Sequence, residues 1–194
     1  PSNSGESFSS YSLDEFKALD ADKKKGYTCY LTDLYNNDRS TLLHIVNKTG
    51  FLTLDCSSIK SLELKEFELN SLSLSGCQNL SSLEKVQHLT NLTFLSLSGC
   101  QNLSSLELLQ YLNTLTFLSL SGCQNLPSLE GVQSLTKLNS LTLQGCQNLS
   151  SFEGVKNITT LNSLTLHGCQ NLSSFELLQD LTNLNSLTLQ GCQN

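Results

Sequence analysis

The tetrapeptide Gly-Cys-Gln-Asn occurs six times in this chain, with its Cys at Cys77, Cys100, Cys123, Cys146, Cys169 and Cys192, every interval being 23 residues. So short and constant a period restricts the fold severely. Each copy is one small structural unit with a single apolar face, and copies can bury that face only by stacking on one another. The chain is therefore expected to be a solenoid. Its composition agrees, because 44 of the 194 residues are Leu and only 14% are charged, a skew that a repeat produces.

Within each unit the residues before the Cys alternate in polarity. Leu72/Leu74, Leu95/Leu97, Leu118/Leu120, Leu141/Leu143, Leu164/Leu166 and Leu187/Leu189 are separated by single small polar residues, the period-two signature of a half-buried strand. Strands of three to five residues stacked in parallel about 4.8 Å apart would pair their backbones and join their Leu faces into one core. Seven or eight such strands are expected. The return segment places Leu83, Val86 and Leu89 at helical spacing, which predicts a short helix or 3-10 turn. Ser81-Ser82-Leu83-Glu84 has capping-box spacing, and Glu107, Glu130, Glu153 and Glu176 repeat it, although Pro127 replaces the first Ser once.

Written from Leu92, one unit reads LTFLSLSGCQNLSSLELLQYLNT, and its skeleton L-x-x-L-x-L-x-x-C-x-x-L-x-x-L recurs from Leu69 to Cys192. On these residues the sequence resembles the leucine-rich repeat family over roughly two thirds of its length, with five complete units and a sixth cut at Asn194. The resemblance implies an α/β solenoid, a curved horseshoe with a parallel sheet on its concave face and short helical or 3-10 turns on its convex face. In that family the Cys position usually carries Asn or Cys, whose polar atom satisfies backbone groups in the turn after the strand. Asn79, Asn102, Asn125, Asn148 and Asn171 are expected to form a second ladder beside it.

The chain before the regular repeats divides into three parts. Leu52-Thr53-Leu54-Asp55-Cys56-Ser57-Ser58-Ile59 lies 20 residues before Leu72 with its Cys one position early, and reads as a shortened first repeat that opens the repeat region 51–194. Leu13, Phe16 and Leu19, then Tyr27, Tyr30, Leu31 and Leu34, suggest two short helices separated around Lys23-Lys24-Lys25-Gly26, within an N-terminal helical cap spanning 11–50. Such a cap is expected because the end of a solenoid otherwise exposes its core. Residues 1–10 are Ser-rich and read as a disordered tail. The chain stops within a repeat and lacks Met even at position 1, so the expectation is that further repeats were cut off or the end is bare, and that the start was trimmed, where a targeting segment could have been removed.

The residues that could carry chemistry have blander readings. Copies of one Cys in a parallel ladder stand about 4.8 Å apart and point the same way, which disfavours disulfides and cannot surround a zinc ion tetrahedrally. They read as buried structural thiols. His167 precedes Cys169 by two residues, but that Cys sits in the ladder and its copies have Ser or Gln where His167 stands. His44 and His88 belong to no catalytic or metal-ligating pattern, and Lys23-Lys24-Lys25, with Asp20 and Asp22 beside it, reads as a solvated turn. No enzyme activity, cofactor or metal is expected. The net charge of −6 argues against nucleic acid as a partner, and no stretch has the ~20 apolar residues of a membrane span.

What remains is surface. Most outward strand positions carry Ser or Thr, whereas Phe94 and Phe117 fall in one column on neighbouring strands, where their rings should touch and offer an apolar patch to a protein partner. Gln144, His167 and Gln190 are the other candidate contacts on that face. On the outer side Leu108 and Leu177 replace Lys85, Gly131 and Gly154, with Tyr111 nearby, and read as ordinary surface residues.

Asn-x-Ser/Thr sequons at Asn47, Asn79, Asn91, Asn102, Asn148, Asn157 and Asn171, several in the tight turns, argue against a eukaryotic secretory protein. Eight Cys without plausible pairing favour a reducing cytosol, the protein's own or a host cell's. Near-identical repeats with simple polar faces resemble bacterial leucine-rich-repeat effectors delivered into host cells. The expected function is non-enzymatic binding of a protein partner by a monomer, with occlusion of a partner enzyme as one form of it. Two alternatives stay open: the targeting repeats of a larger effector enzyme, and a bacterial surface adhesin.

Overall fold

A computed structural model of the chain describes residues 10–192. The 1–10 tail expected from the sequence therefore lies almost entirely outside the described residues.

Seven parallel strands follow one another in chain order, β1 (Phe51–Asp55), β2 (Ser71–Ser75), β3 (Phe94–Ser98), β4 (Phe117–Ser121), β5 (Ser140–Gln144), β6 (Ser163–His167) and β7 (Ser186–Gln190). The register is the repeat itself. Leu95 pairs with Leu118, Leu118 with Leu141 and Leu141 with Leu164, so each Leu row points to the same side. These rows are fully buried from Leu52 to Leu166, whereas Leu187 and Leu189 on β7 are 46% and 40% exposed. The shortened first repeat keeps the same alignment, with Leu52 opposite Leu72.

Each strand from β2 onward ends in a Gly with φ between 64° and 71°, a left-handed conformation that reverses the chain at little cost only when Cβ is absent. The Cys follows. Cys77, Cys100, Cys123, Cys146 and Cys169 are buried and all eight Cys are free. Four of these buried ladder thiols lie against the carbonyl of the last strand residue two positions back, as in Cys100 Sγ to Ser98 O at 3.9 Å and Cys146 Sγ to Gln144 O at 3.9 Å. Each of these thiols thus faces the carbonyl that ends its own strand.

The return segment is a chain of i to i−3 bonds: the amides of Val86, Leu89 and Leu92 donate to the carbonyls of Leu83, Val86 and Leu89 at 3.0, 3.0 and 3.1 Å. Apolar residues three apart suit a 3-10 geometry, in which positions i and i+3 share a face. The cap is not the expected box on Ser81. Instead the second Ser of each pair acts, its hydroxyl accepting from the Glu amide two residues on, at Ser82, Ser105, Ser128, Ser151 and Ser174. Pro127 occupies the other position and so leaves the cap untouched.

The N-terminal cap has three helices, α1 (Leu13–Lys17), α2 (Ala21–Asn37) and α3 (Arg39–Thr49). α2 runs unbroken through Lys23-Lys24-Lys25-Gly26, contrary to the expected break there. The break falls earlier because Asp20 is the N-cap, accepting from the Lys23 amide at 2.8 Å, which makes the lysines the first turn of a helix rather than a loop. Asp38 ends α2 and caps α3, and Gly50 with φ 65° closes α3 directly before β1.

Candidate functional site

The outward side chains of the strands form three columns. The first runs Phe51, Ser71, Phe94, Phe117, Ser140, Ser163, Ser186; the second is Thr and Ser from Thr53 to Thr188; the third runs from Asp55 and Ser75 through Ser98 and Ser121 to Gln144, His167 and Gln190. First and third positions of one strand are four residues, or about 13 Å, apart.

The cap covers the start of this face. Phe16 of α1 packs on Phe51 with ring centres 5.1 Å apart, and Phe51 is fully buried. The hydroxyls of Thr28 on α2 and Thr53 on β1 lie 2.9 Å apart, and Thr53 and Ser71 are buried. The first column therefore becomes accessible only at Phe94 on β3, while Ser73 and Ser75 on β2 are already half-buried rather than covered.

There Phe94 and Phe117 stack with centres 4.5 Å apart and planes within 7° of parallel, as their shared column required. Both are half-buried rather than freely solvated. The ammonium of Lys17, the last residue of α1, stands 4.9 Å from the centre of Phe94 and 5.7 Å from that of Phe117. Lys17 makes no ion pair among the described residues. Sequence reasoning missed Lys17, Phe16 and Phe51. A signal was present for Phe51, since Phe51-Leu52-Thr53-Leu54 aligns with Phe94-Leu95-Ser96-Leu97, but no pattern places α1 above the sheet.

Gln144, His167 and Gln190 are exposed and adjacent in register on β5, β6 and β7, so they form one polar row. His167 lies on the open face while the Cys169 thiol is buried among carbonyls, at 3.9 Å from His167 O and 4.0 Å from Leu143 O. The imidazole and the thiol are on opposite sides of the strand. His88 contacts the Leu64 carbonyl at 3.0 Å and His44 is exposed. Among the described residues no three metal-ligating side chains converge, and no helix is long and apolar enough to cross a membrane.

Most thiols of the row hold their protons where they stand, while Cys123 is pushed down to about 4 by the neighbouring thiols of Cys100 and Cys146. The neighbouring Cys123 thiol, and then burial, push Cys146 up to about 12, and burial pushes Cys192 upward as well. On the outer surface Leu108 and Leu177 are half-buried against the core and Tyr111 is 51% exposed. Gly131 and Gly154 have a steric reason: an added Cβ would meet the Leu106 carbonyl oxygen at 2.2 Å and the Leu129 carbonyl oxygen at 2.0 Å.

A sheet of in-register parallel strands, 3-10 return segments and a Leu core with a Cys at each turn define a leucine-rich repeat solenoid. Six copies of the BspA-type leucine-rich repeat region match residues 67–194, and the chain belongs to that family. No curated protein matches it. Among solved structures it is similar to an internalin C2 of Listeria monocytogenes, at 20% identity and TM-score 0.53, over 76% of this chain and 74% of that one. A second Listeria monocytogenes internalin, InlF, matches at 24% identity and TM-score 0.34, over 61% of this chain and 46% of that one. Repeat domains of this class are typically binding modules for other proteins, and no enzyme family matches.

Proposed function

We propose that the sheet face from β3 to β7 is a docking surface for a protein partner, anchored on Phe94 and Phe117 and bordered by Gln144, His167 and Gln190. One observation carries this reading: the stacked pair is the aromatic feature in a face of otherwise Ser, Thr, Gln and His side chains. Paired aromatics in a polar rim have the composition of a binding hot spot. The protein acts as a monomer without chemistry of its own, and in one form of this activity it occludes the working face of a partner enzyme. Eight free thiols favour a reducing compartment, the cytosol of a bacterium or, for an effector, that of its host. They weigh against the adhesin alternative for the same reason.

Site-specific photo-crosslinking tests the docking surface. A benzophenone side chain at Ser119, between the two columns on β4, should give protein adducts in cytosol, and the double change Phe94→Ser and Phe117→Ser should abolish them. Adducts that form equally from Glu130 on the outer surface, or that survive loss of both rings, would contradict the assignment.

A further inference from the structure

The docking surface carries an occupant already. Phe94 and Phe117 lie on adjacent strands with nearly parallel rings, so the stack extends in the direction in which the strands follow one another. Ring faces carry negative quadrupole charge, and the Lys17 ammonium, within 6 Å of both centres, lies in the range of attraction. Its helix is five residues long and is held to the rest of the fold chiefly by rings: Phe16 on Phe51 at 5.1 Å and on Tyr27 at 6.0 Å. Lys17 itself is exposed and leaves the pair only half covered.

Beyond Phe117 the same column holds Ser140, Ser163 and Ser186. None of these is large enough to cover the ring from that side, and their hydroxyls can accept hydrogen bonds. A flat, cationic group with several N–H donors suits such a place: it can lie against Phe117 while donating to the Ser hydroxyls. The guanidinium is planar, more weakly hydrated than an ammonium and stacks on aromatic faces, which an ammonium does less well. The chain's net charge of −6 favours approach of a cationic partner.

We infer that the Phe94–Phe117 pair receives an arginine side chain of the protein partner, and that Lys17 is an intramolecular placeholder which this arginine displaces. The inference rests on the docking surface proposed above and names the group it recognises. Displacement follows because the guanidinium and the Lys17 ammonium are like charges drawn to one stacked pair, and they repel each other across it. An exposed cation–π contact is weak, so Lys17 lowers the affinity for arginine by roughly threefold rather than blocking the site.

The test titrates a short blocked peptide containing one Arg into the full chain, beside the same peptide with uncharged citrulline or with Lys, while NMR follows the Phe ring and Lys17 methylene signals. The Arg peptide should shift the Phe94 and Phe117 rings and release Lys17, the citrulline and Lys peptides should bind several-fold more weakly, and Lys17→Ala should tighten the Arg peptide by roughly threefold. Phe117→Ser should remove the response. Equal binding of the citrulline peptide, or an Arg affinity indifferent to Lys17→Ala, would overturn the inference. If the partner found by crosslinking depends on the rings yet is not competed by the Arg peptide, the arginine assignment fails and the docking surface stands. If no partner depends on the rings, the surface itself fails.

Discussion

Thr32 of α2 accepts a hydrogen bond from the backbone N–H of Asp55 at 2.9 Å, at the edge of β1 that pairs with no strand among the described residues. The same hydroxyl donates to the Thr28 carbonyl at 2.7 Å. One side chain thus closes the sheet edge and ties it to the helix that covers the first strand. An open edge would otherwise leave unpaired backbone donors.

Thr32→Val keeps the shape and removes the acceptor, leaving the Asp55 amide unsatisfied where Thr32 is buried. The cost should be about 1–3 kcal/mol in urea unfolding, with Thr32→Ser recovering most of it. Equal stability of the Val variant would show that the edge bond contributes nothing.

The close approach at Gly154 gives a second expectation. A methyl group there would sit 2.0 Å from the Leu129 carbonyl oxygen, a backbone atom that cannot move aside as a side chain can. Gly154→Ala should destabilise by about 3 kcal/mol, while Leu108→Ala at the equivalent, roomier position of another repeat should cost less, since Leu108 is only half-buried. Denaturant midpoints of the two variants decide the order.

Thiol labelling should follow exposure. Cys29 is exposed, Cys56 and Cys192 are half-buried, and the five ladder thiols between them are buried. A disulfide reagent on the native protein should modify Cys29 first, then Cys56 and Cys192, and the remaining five only on unfolding. Mass spectrometry showing equal modification of all six repeat Cys would contradict a closed ladder.

The ladder also predicts a pH dependence. Cys146, raised to about 12 by the Cys123 thiol and then by burial, holds its proton more tightly folded than unfolded. Its contribution is full below the unfolded value of about 8.5 and is lost as pH rises through the folded value. The urea midpoint should decline above about pH 9, by at most about 1.4 kcal/mol per pH unit for one such thiol. Cys146→Ala should lessen the decline, with the raised thiols of Cys77, Cys100 and Cys169 keeping part of it.

Much of this architecture was legible because the repeat fixes register. Once Cys77, Cys100 and Cys123 are set in equivalent turns, Leu72 must lie beside Leu95, and Phe94 beside Phe117, with no further information. The cap was less legible because it occurs once. Lys23-Lys24-Lys25-Gly26 looks like a break, yet Asp20 captures the helix start and packing of Tyr27 and Leu31 sustains the helix past the Gly. Pro127 seemed to threaten a cap that in fact uses Ser128. Lys17 over the rings is a long-range relationship between a unique helix and the repeats, and no local pattern encodes it.

The affinity of the crosslinked partner for the Phe94→Ser, Phe117→Ser double variant, measured by calorimetry beside the wild type, tests the central claim most directly. Ser already occupies this column at Ser140, Ser163 and Ser186, so the melting temperature should barely change. Binding should weaken by about thirtyfold, the loss of ~2 kcal/mol typical of a hot spot. A folded double variant that binds the partner as tightly as the wild type would contradict the account.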